Sequence, residues 1–393
     1  MVIRLKKNKE KAVLNFHPWI FSGAIESVDN GIKSGDTVAV HSHDGTFLAW
    51  GHYDSGSQIR IRLFSFDPKQ DGINRDFWFS KWEKILYTKR SLLPNDTNGF
   101  RLFHSEGDGV PGIVVDVYDD TAVLQLKTPG AIRLKENLVT FLEKFGFVTI
   151  LEKREKTDSK HGDEISFYKG DKAETVFKEN GIQFISDTTK GQKTGFFLDQ
   201  RENRSLLGRY AKNKIILNTF AYSGAFSVYA LLNGAKMVHS LDISKQALEL
   251  CEKNLELNGF SQELLAVKHK SLVMDCFDYL KKMDSGIYDC IILDPPAFTK
   301  NIATVIQASR GYKDINMRAI SKIQDGGLIF TFSCSQHISF DLFKKIVFGA
   351  AKDAKKKVRI LHHLTQSPDH SYSVFHPEGE YLKGLVIQVD GQI

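Results

Sequence analysis

The stretch from Ile215 to Ser244, IILNTFAYSGAFSVYALLNGAKMVHSLDIS, predicts an apolar strand, a tight turn, a helix and a second apolar strand. The turn is Tyr222 to Gly224, the helix is expected over Ala225 to Leu232, and the second strand ends on Asp242. This order is typical of a βαβ unit in a doubly wound sheet. Asp242 lies roughly 20 residues beyond the turn glycine, where such folds place a carboxylate that binds a ribose. The sequence therefore predicts an α/β domain with a nucleoside site.

The composition of this turn narrows the class of ligand. Gly224 is its single glycine, whereas a dinucleotide site needs several glycines so that the backbone can approach a pyrophosphate. The sequence also lacks a GxxxxGK[ST] run that would indicate ATP. S-adenosylmethionine, a nucleoside without phosphates, suits such a loop. An α/β domain without a ligand, or one that binds another nucleotide, stays open at this point.

Length and composition indicate a globular protein of two or three domains, because the chain has 393 residues, of which 42% are hydrophobic and 25% charged. The net charge of +6 permits a polyanionic partner without requiring one. No apolar stretch approaches the ~20 residues of a membrane span, and no apolar segment follows the basic N-terminus. We therefore expect no membrane association and a cytosolic location. The four cysteines lack CxxC spacing, which argues against a metal site and against a disulfide framework.

The first 68 or so residues predict short alternating strands, with a hairpin turn at His43 to Gly45. Alternation over SQIRIRLFSF places Arg60 and Arg62 together on one exposed face. The opening of the chain adds further basic residues: Arg4, Lys6, Lys7, Lys9 and Lys11. Together they are a candidate phosphate-binding surface. The alternative is a solvated strand face with no ligand.

A helix is expected from Asn74 to Leu92, with Trp78 and Trp82 at helical spacing, and we interpret these aromatic residues as core. From about Gly191 onward, strands and helices alternate as in a doubly wound parallel sheet. Within this region Leu265 to Val267 is expected to be a strand.

Four of the expected strands end on notable residues: Gly224, Asp242, Asp294 and Cys334. In an open α/β sheet, ligands bind beyond the carboxyl ends of the strands. Asp242 would accept hydrogen bonds from the ribose hydroxyls, or else cap the following helix. Asp275 would accept from the adenine amino group, or else cap a helix. The rigid run Asp294 to Phe298 would hold a flat base, with Phe298 able to stack on it.

Cys334 stands between two serines after a buried apolar strand. A thiolate at this position could add to C6 of a pyrimidine and make C5 nucleophilic towards a methyl sulfonium. The alternative is a small buried hydrophobic residue, which is how we interpret Cys251, Cys276 and Cys290.

Several motifs together resemble the RlmI-type family of class I S-adenosylmethionine-dependent methyltransferases, which form 5-methylcytosine in large-subunit ribosomal RNA. They are HPWIFSGAI, RLFHSEGDGVPGIVVDVYDD, TGFFLDQRENR, NTFAYSGAFSVYALLNGA, DPPAF, FTFSCSQ and FHPEGEYLKG, in this order along nearly the whole chain. The resemblance implies an N-terminal PUA domain that binds RNA (1–70), a central α+β domain (71–188) and a Rossmann-like catalytic domain (189–393).

The resemblance also implies roles for individual residues. Those that would bind the cofactor S-adenosylmethionine are Phe196, Asp199, Arg201, Tyr222, Gly224, Asp242, Asp275 and Pro295. Asp294 would orient the cytosine and Cys334 would be the nucleophile. Phe298, Arg60, Arg62, Lys6 and Lys7 would contact RNA, and a homodimer is a possible assembly.

The chain departs from many RNA cytosine-C5 enzymes at Ala297, where a cysteine often follows the double proline and assists product release. A water molecule or Asp294 would then have to remove the C5 proton. Two alternatives stay open: a methyltransferase that acts on an exocyclic amine of guanine or adenine, and an RNA-binding assembly factor without turnover. The first needs no cysteine, and the second would not need to bind S-adenosylmethionine.

Overall fold

The computed structural model describes residues 1–154, 164–299 and 301–393. The chain divides into two compact units. The first comprises Met1–Gly181, Ser186–Leu198 and Pro368–Gly379, and the second comprises Ile182–Ile185, Asp199–Ser367 and Glu380–Ile393.

The first unit opens with a six-stranded sheet in the order β2-β6-β5-β4-β1-β3. Its elements are β1 (Val2–Leu5), helix α1 (Lys11–Leu14), β2 (Trp19–Phe21), β3 (Ile25–Val28), β4 (Thr37–His41), β5 (Phe47–Tyr53) and β6 (Ile59–Ser65). The predicted hairpin turn is confirmed, because β4 pairs antiparallel with β5 and His41 lies opposite Phe47. Alternate residues of these strands, such as Val38 and Val40, form a buried core.

A second sheet in the same unit has five strands in the order β11-β10-β9-β8-β7. Its region contains α2 (Arg75–Ser91), β7 (Gly99–His104), β8 (Ile113–Tyr118), β9 (Thr121–Leu126), α3 (Pro129–Arg133), α4 (Lys135–Lys144), β10 (Thr149–Arg154), β11 (Glu164–Lys169) and β12 (Glu174–Glu179). Helix α2 begins where the Asn74 side chain accepts a hydrogen bond from the amide of Phe77. Trp78 and Trp82 are buried, so their interpretation as core residues is confirmed.

The segment Pro368–Gly379 is held in the first unit by hydrogen bonds that involve charged side chains. The Asp369 carboxylate accepts from the amide of Arg101 at 2.8 Å, and the Asp369 carbonyl accepts from the ammonium of Lys89 at 2.6 Å. Lys89 also pairs with Asp108, and Arg101 binds Asp116 through two hydrogen bonds of 2.7 Å. These charges are buried but paired, which is the condition under which burial of charge is tolerated.

The second unit is built around a seven-stranded sheet in the order β16-β15-β14-β17-β18-β20-β19. After β13 (Ile182–Asp187), its elements are α5 (Arg201–Tyr210), β14 (Ile215–Thr219), α6 (Ala225–Leu232), β15 (Met237–Asp242), α7 (Lys245–Leu257), α8 (Gln262–Lys268), β16 (His269–Val273), α9 (Cys276–Lys282), β17 (Cys290–Leu293), α10 (Val305–Lys322), β18 (Gly327–Ser333), α11 (Phe340–Ala354), β19 (Lys356–Leu364) and β20 (Lys383–Gln392). The predicted doubly wound α/β sheet is confirmed.

Strands β14 to β18 are all parallel, whereas β20 runs antiparallel between β18 and β19. The carboxyl ends of five strands therefore meet at one edge of the sheet. The strand order changes direction between β14 and β17, which neighbour each other in the sheet but not in sequence. Such a switch point opens a crevice at the carboxyl edge, where α/β proteins bind their ligands.

The expected strand at Leu265 to Val267 is wrong, because these residues lie within helix α8. Ser261 caps that helix by accepting a hydrogen bond from the amide of Leu264. The prediction of a strand depended on a short apolar run, and such a run fits the buried face of a helix as well as a strand. The strand follows directly as β16. In the part of the chain that the structure describes, we find no helix with the length and apolar character that a bilayer crossing demands.

Candidate active site

Each of the five parallel strands delivers a candidate residue to the carboxyl edge of the sheet. Gly224 follows β14, Asp242 ends β15, Asp275 follows β16, Asp294 follows β17 and Cys334 follows β18. The expected strand ends are thus confirmed, and the fold gathers these residues at one edge.

The loop after β14 has an unusual backbone. Tyr222 and Gly224 have φ angles of 46° and 72°, in the left-handed region. A Cβ atom on Gly224 would lie 2.0 Å from the Sγ atom of Cys251, so the loop lies directly against helix α7. Asn254 of the same helix donates a hydrogen bond of 2.9 Å to the carbonyl of Ser223. These two contacts with helix α7 therefore hold the loop in place.

The Asp242 carboxylate is positioned by two backbone amides. One oxygen accepts from the amide of Tyr222 at 2.9 Å, and the other accepts from the amide of Ser244 at 2.8 Å. Ser244 rather than Asp242 caps helix α7, so the alternative role for Asp242 is wrong. Each carboxylate oxygen can accept a further hydrogen bond, which suits a pair of ribose hydroxyls. A loop with one glycine beside such a carboxylate fits a nucleoside cofactor without phosphates.

Asp275 has a structural role as well as its expected one. It is exposed, and one carboxylate oxygen accepts a hydrogen bond of 3.1 Å from the amide of Asp278, which caps helix α9. A cap occupies one oxygen, so the capping role and a contact with adenine are compatible. The contact with adenine stays a prediction.

Asp294 is oriented by a residue that sequence reasoning missed. The side-chain amide of Gln200 donates a hydrogen bond of 3.0 Å to the Asp294 carboxylate. The side-chain oxygen of Gln200 in turn accepts a hydrogen bond of 2.6 Å from the side-chain amide of Asn203. The same amide also donates to the backbone carbonyl of Thr365. Gln200 stands between two predicted site residues, Asp199 and Arg201, but its role depends on its position directly before helix α5 in the folded chain.

Asp199 and Arg201 are both buried in the second unit. The Asp199 carboxylate accepts a hydrogen bond of 2.7 Å from the hydroxyl of Tyr381, and the Arg201 guanidinium contacts Glu202. Phe196 belongs to the first unit, where its ring is buried and lies 4.9 Å from that of Phe177. A cofactor contact for these residues stays a prediction.

All four cysteines lie in the described residues, and Cys334 differs in exposure from the other three. Cys251, Cys276 and Cys290 are buried, and burial raises the pKa of each thiol to about 12. They are inert core residues, as expected. Cys334 is half-buried, and its sulfur lies 3.8 Å from the carbonyl oxygen of Pro295. The thiol therefore borders the double-proline turn that follows β17.

Phe298 and Pro295 complete this turn. The Phe298 ring lies 4.5 Å from the ring of Tyr312 and 6.1 Å from that of Phe277, and Pro295 is buried. The ring is thus supported by helices α9 and α10. Stacking of Phe298 on a base stays a prediction.

The basic residues of the first unit divide into two groups. Lys6 and Lys7 are exposed, as a phosphate-binding surface requires. The expectation of an exposed face for Arg62 is wrong, because its side chain is 15% exposed and lies near the carboxylates of Asp54 and Glu106. Arg60 donates to the carbonyl of Asp54 at 3.1 Å. Arg62 therefore lies among carboxylates, whereas a contact of the half-buried Arg60 with RNA stays a prediction.

Comparison with known families places two matches on the chain. Residues 3–66 match the model of a PUA-like domain, and residues 138–371 match that of an S-adenosylmethionine-dependent methyltransferase. The chain is 40% identical to ribosomal RNA large subunit methyltransferase I of Pseudoalteromonas atlantica, over 98% of this chain and 99% of that protein. It is 37% identical to the protein of the same name from Alteromonas mediterranea, over 98% of each chain.

Solved structures show the same fold. A protein from Streptococcus mutans assigned as a SAM-dependent methyltransferase superposes with a TM-score of 0.82 at 23% identity, covering 99% of this chain and 100% of that one. A methyltransferase structure complexed with SAH gives a TM-score of 0.84 at 24% identity, with the same coverage. The predicted fold class, including the N-terminal PUA-like domain, is confirmed. The boundaries at residues 70 and 188 stay a prediction.

Proposed function

This chain belongs to the S-adenosylmethionine-dependent methyltransferase family of the ribosomal RNA large subunit methyltransferase I proteins, and on this premise we propose that it forms 5-methylcytosine in large-subunit ribosomal RNA. The observation that carries the proposal is the position of Cys334. This half-buried thiol borders the turn at Asp294 and Pro295. Strand β17, which precedes that turn, and strand β18, which precedes Cys334, are neighbours in the sheet. A nucleophile and a base-binding carboxylate would thus act on one cytosine.

In this mechanism the Cys334 thiolate adds to C6 of the cytosine, which makes C5 nucleophilic. S-adenosylmethionine supplies an electrophilic methyl group when it is bound. Asp294, oriented by Gln200, holds the cytosine through N3 or N4. Because Ala297 stands where many related enzymes have a second cysteine, a water molecule or Asp294 removes the C5 proton. The S–C6 bond then breaks and its electron pair returns to Cys334.

The cofactor is held by the candidate residues at the carboxyl edge of the sheet. Asp242 accepts hydrogen bonds from the ribose and Asp275 from the adenine amino group. The backbone of Tyr222 to Gly224 lines the loop, and Pro295 borders the adenosine. We assign Asp199 and Arg201 to the methionine end. Lys6 and Lys7 contribute to the RNA-binding surface of the PUA-like domain.

The test compares wild-type protein with Cys334→Ala, using labelled S-adenosylmethionine and ribosomal RNA from a strain that lacks the gene, followed by nucleoside analysis. We expect 5-methylcytosine from the wild type and a loss of several powers of ten in rate for the variant, as for other deletions of a covalent nucleophile. Cys290→Ala, which alters a buried cysteine of β17, is the matched control and should keep activity.

Other outcomes distinguish the alternatives. Equal methylation by Cys334→Ala, or an amine-methylated purine as product, would replace the proposal with an exocyclic-amine methyltransferase. If the wild-type protein fails to bind S-adenosylmethionine, an RNA-binding assembly factor becomes the better description.

A further inference from the structure

A buried lysine lies beside the candidate nucleophile. Lys383 is the first residue of β20, and only 2% of its surface is exposed. In the antiparallel pairing of β18 with β20 it lies opposite Ser333, the residue before Cys334. Its ammonium donates hydrogen bonds of 2.8 Å to the carbonyl of Ser335, the residue after Cys334, and of 2.7 Å to the carbonyl of Tyr381. The cation is therefore fixed against the residue that follows Cys334, while the backbone of Lys383 pairs with the residue that precedes Cys334.

The burial of this charge is costly. Removal of the ammonium from water lowers the pKa of Lys383 to about 8, while the negative charges of Cys334 and Glu380 act in the opposite direction. Hydrogen bonds to two neutral carbonyls offset only part of the free energy of desolvating the ammonium, because a buried charge generally needs a countercharge. A neutral amide could tie the same two carbonyls together. The positive charge itself therefore calls for an explanation.

We propose that Lys383 is a positioning residue that acts through Cys334, its ammonium charge stabilising the thiolate that attacks C6 of the cytosine. This inference rests on the proposed function. Lys383 keeps its protons throughout the reaction. The Cys334 electron pair forms the S–C6 bond and returns to sulfur when that bond breaks, so the thiolate needs a counterion at the start and at the end of each cycle.

Among the described residues considered around this pair, the other charged groups oppose the thiolate and the hydroxyl groups are neutral. Asp294 follows the neighbouring strand, and its negative charge disfavours a thiolate. Glu380 contributes a second negative charge near Lys383. The Tyr312 hydroxyl lies 2.9 Å from that of Ser335, and burial raises the pKa of Tyr312, so it is neutral at ordinary pH. Tyr381 binds Asp199 through its hydroxyl. Among these neighbours, Lys383 supplies the positive charge.

The test measures the rate of Cys334 alkylation by iodoacetamide as a function of pH on the full-length protein, with the modified peptide identified by mass spectrometry. Because the other three cysteines are buried, labelling of Cys334 can be followed by itself. The variants are Lys383→Gln, which keeps donors for the carbonyls without the charge, and Lys383→Arg, which keeps the charge. Lys322→Gln is the matched control, since Lys322 also donates to two backbone carbonyls, those of Lys281 and Met283.

We expect the wild-type profile to have its midpoint below the ordinary thiol pKa of about 8.5. In Lys383→Gln the midpoint should move up by about one pH unit, so that alkylation at neutral pH slows about tenfold. Lys383→Arg should stay near the wild-type midpoint, and Lys322→Gln should not differ from wild type. A purely structural role for Lys383 would alter the unfolding temperature without moving this midpoint.

Two results would overturn the inference: equal midpoints in wild type and Lys383→Gln, or equal shifts in the Gln and Arg variants. If Lys383→Gln does not fold, a wild-type midpoint at or above that of an ordinary thiol is sufficient to reject it. Alkylation needs neither RNA nor S-adenosylmethionine. Failure of this inference is therefore distinguishable from failure of the proposed function, which is judged by the methylated nucleoside.

Discussion

Gly224 shows how a single residue determines the shape of the cofactor loop. Its φ of 72° is one that glycine adopts readily, and a side chain there would collide with Cys251 of helix α7. Sequence reasoning identified the turn glycine. The close approach of α7 became visible only in the folded chain, because Cys251 lies 27 residues further along.

We predict that Gly224→Ala destabilises the second unit and weakens binding of S-adenosylmethionine. The left-handed backbone alone costs an alanine about 1–2 kcal/mol, and the collision with Cys251 adds roughly 1–3 kcal/mol as overpacking. Thermal unfolding and titration with S-adenosylmethionine provide the measurements.

The matched control for this prediction is Gly259→Ala. Gly259 has a φ of 89°, but no atom lies within 4 Å of the added Cβ, so only the backbone cost applies. If the unfolding temperature falls equally in both variants, the collision of the added Cβ with α7 does not destabilise the protein.

At the scale of elements, α9 illustrates a residue with two roles. Asp275 caps this helix, and the same carboxylate is our candidate acceptor for the adenine amino group. Helix caps are readable from sequence because they depend on local hydrogen bonds. Whether a cap also faces a ligand depends on the position of its helix at the sheet edge.

Substitution of Asp275 should separate the two roles. Asp275→Ala loses the cap and should cost roughly 1 kcal/mol of stability. Asp275→Ser keeps a capping oxygen, so the unfolding temperature should stay close to that of wild type while the affinity for S-adenosylmethionine falls. Ser261→Ala, which removes the cap of the neighbouring helix α8, should lower stability and leave affinity unchanged. Unchanged affinity in Asp275→Ser would argue against the adenine contact.

At the scale of the whole molecule, the net charge of +6 is modest, so binding to RNA depends on where the basic residues lie. The structure leaves Lys6 and Lys7 exposed and surrounds Arg62 with carboxylates. The lysines are therefore better placed than the arginine to neutralise phosphates.

We predict that the double variant Lys6→Gln, Lys7→Gln weakens binding of ribosomal RNA and lowers the slope of log Kd against log salt by about two. Filter binding at several salt concentrations measures this slope. Lys356→Gln is the control, because Lys356 already pairs with Asp325 at 2.8 Å. An unchanged slope in the double variant would exclude phosphate contacts at these two lysines.

Features that depend on neighbours along the chain could be predicted from the amino-acid sequence. These are the βαβ unit, the turn glycine, helix α2, the hairpin turn, and the acids and cysteine that follow buried strands. Hydrophobic periodicity and turn chemistry are local, so residues a few positions apart suffice to predict them. Such local prediction fails at the short apolar run around Leu265, because this run fits a helix and a strand equally well.

Which residues support the site depends on contacts that form only in the folded chain. Gln200 orients Asp294, α7 holds the loop at Gly224, and Lys383 binds the carbonyl of Ser335 next to Cys334, although 94, 27 and 48 positions respectively separate these partners in the sequence. The burial of Arg62 beside Glu106 is another long-range contact that only the folded chain shows. Long-range contacts of this kind follow from the order of the strands in the folded sheet and from the packing of helices on it, which residues a few positions apart do not specify.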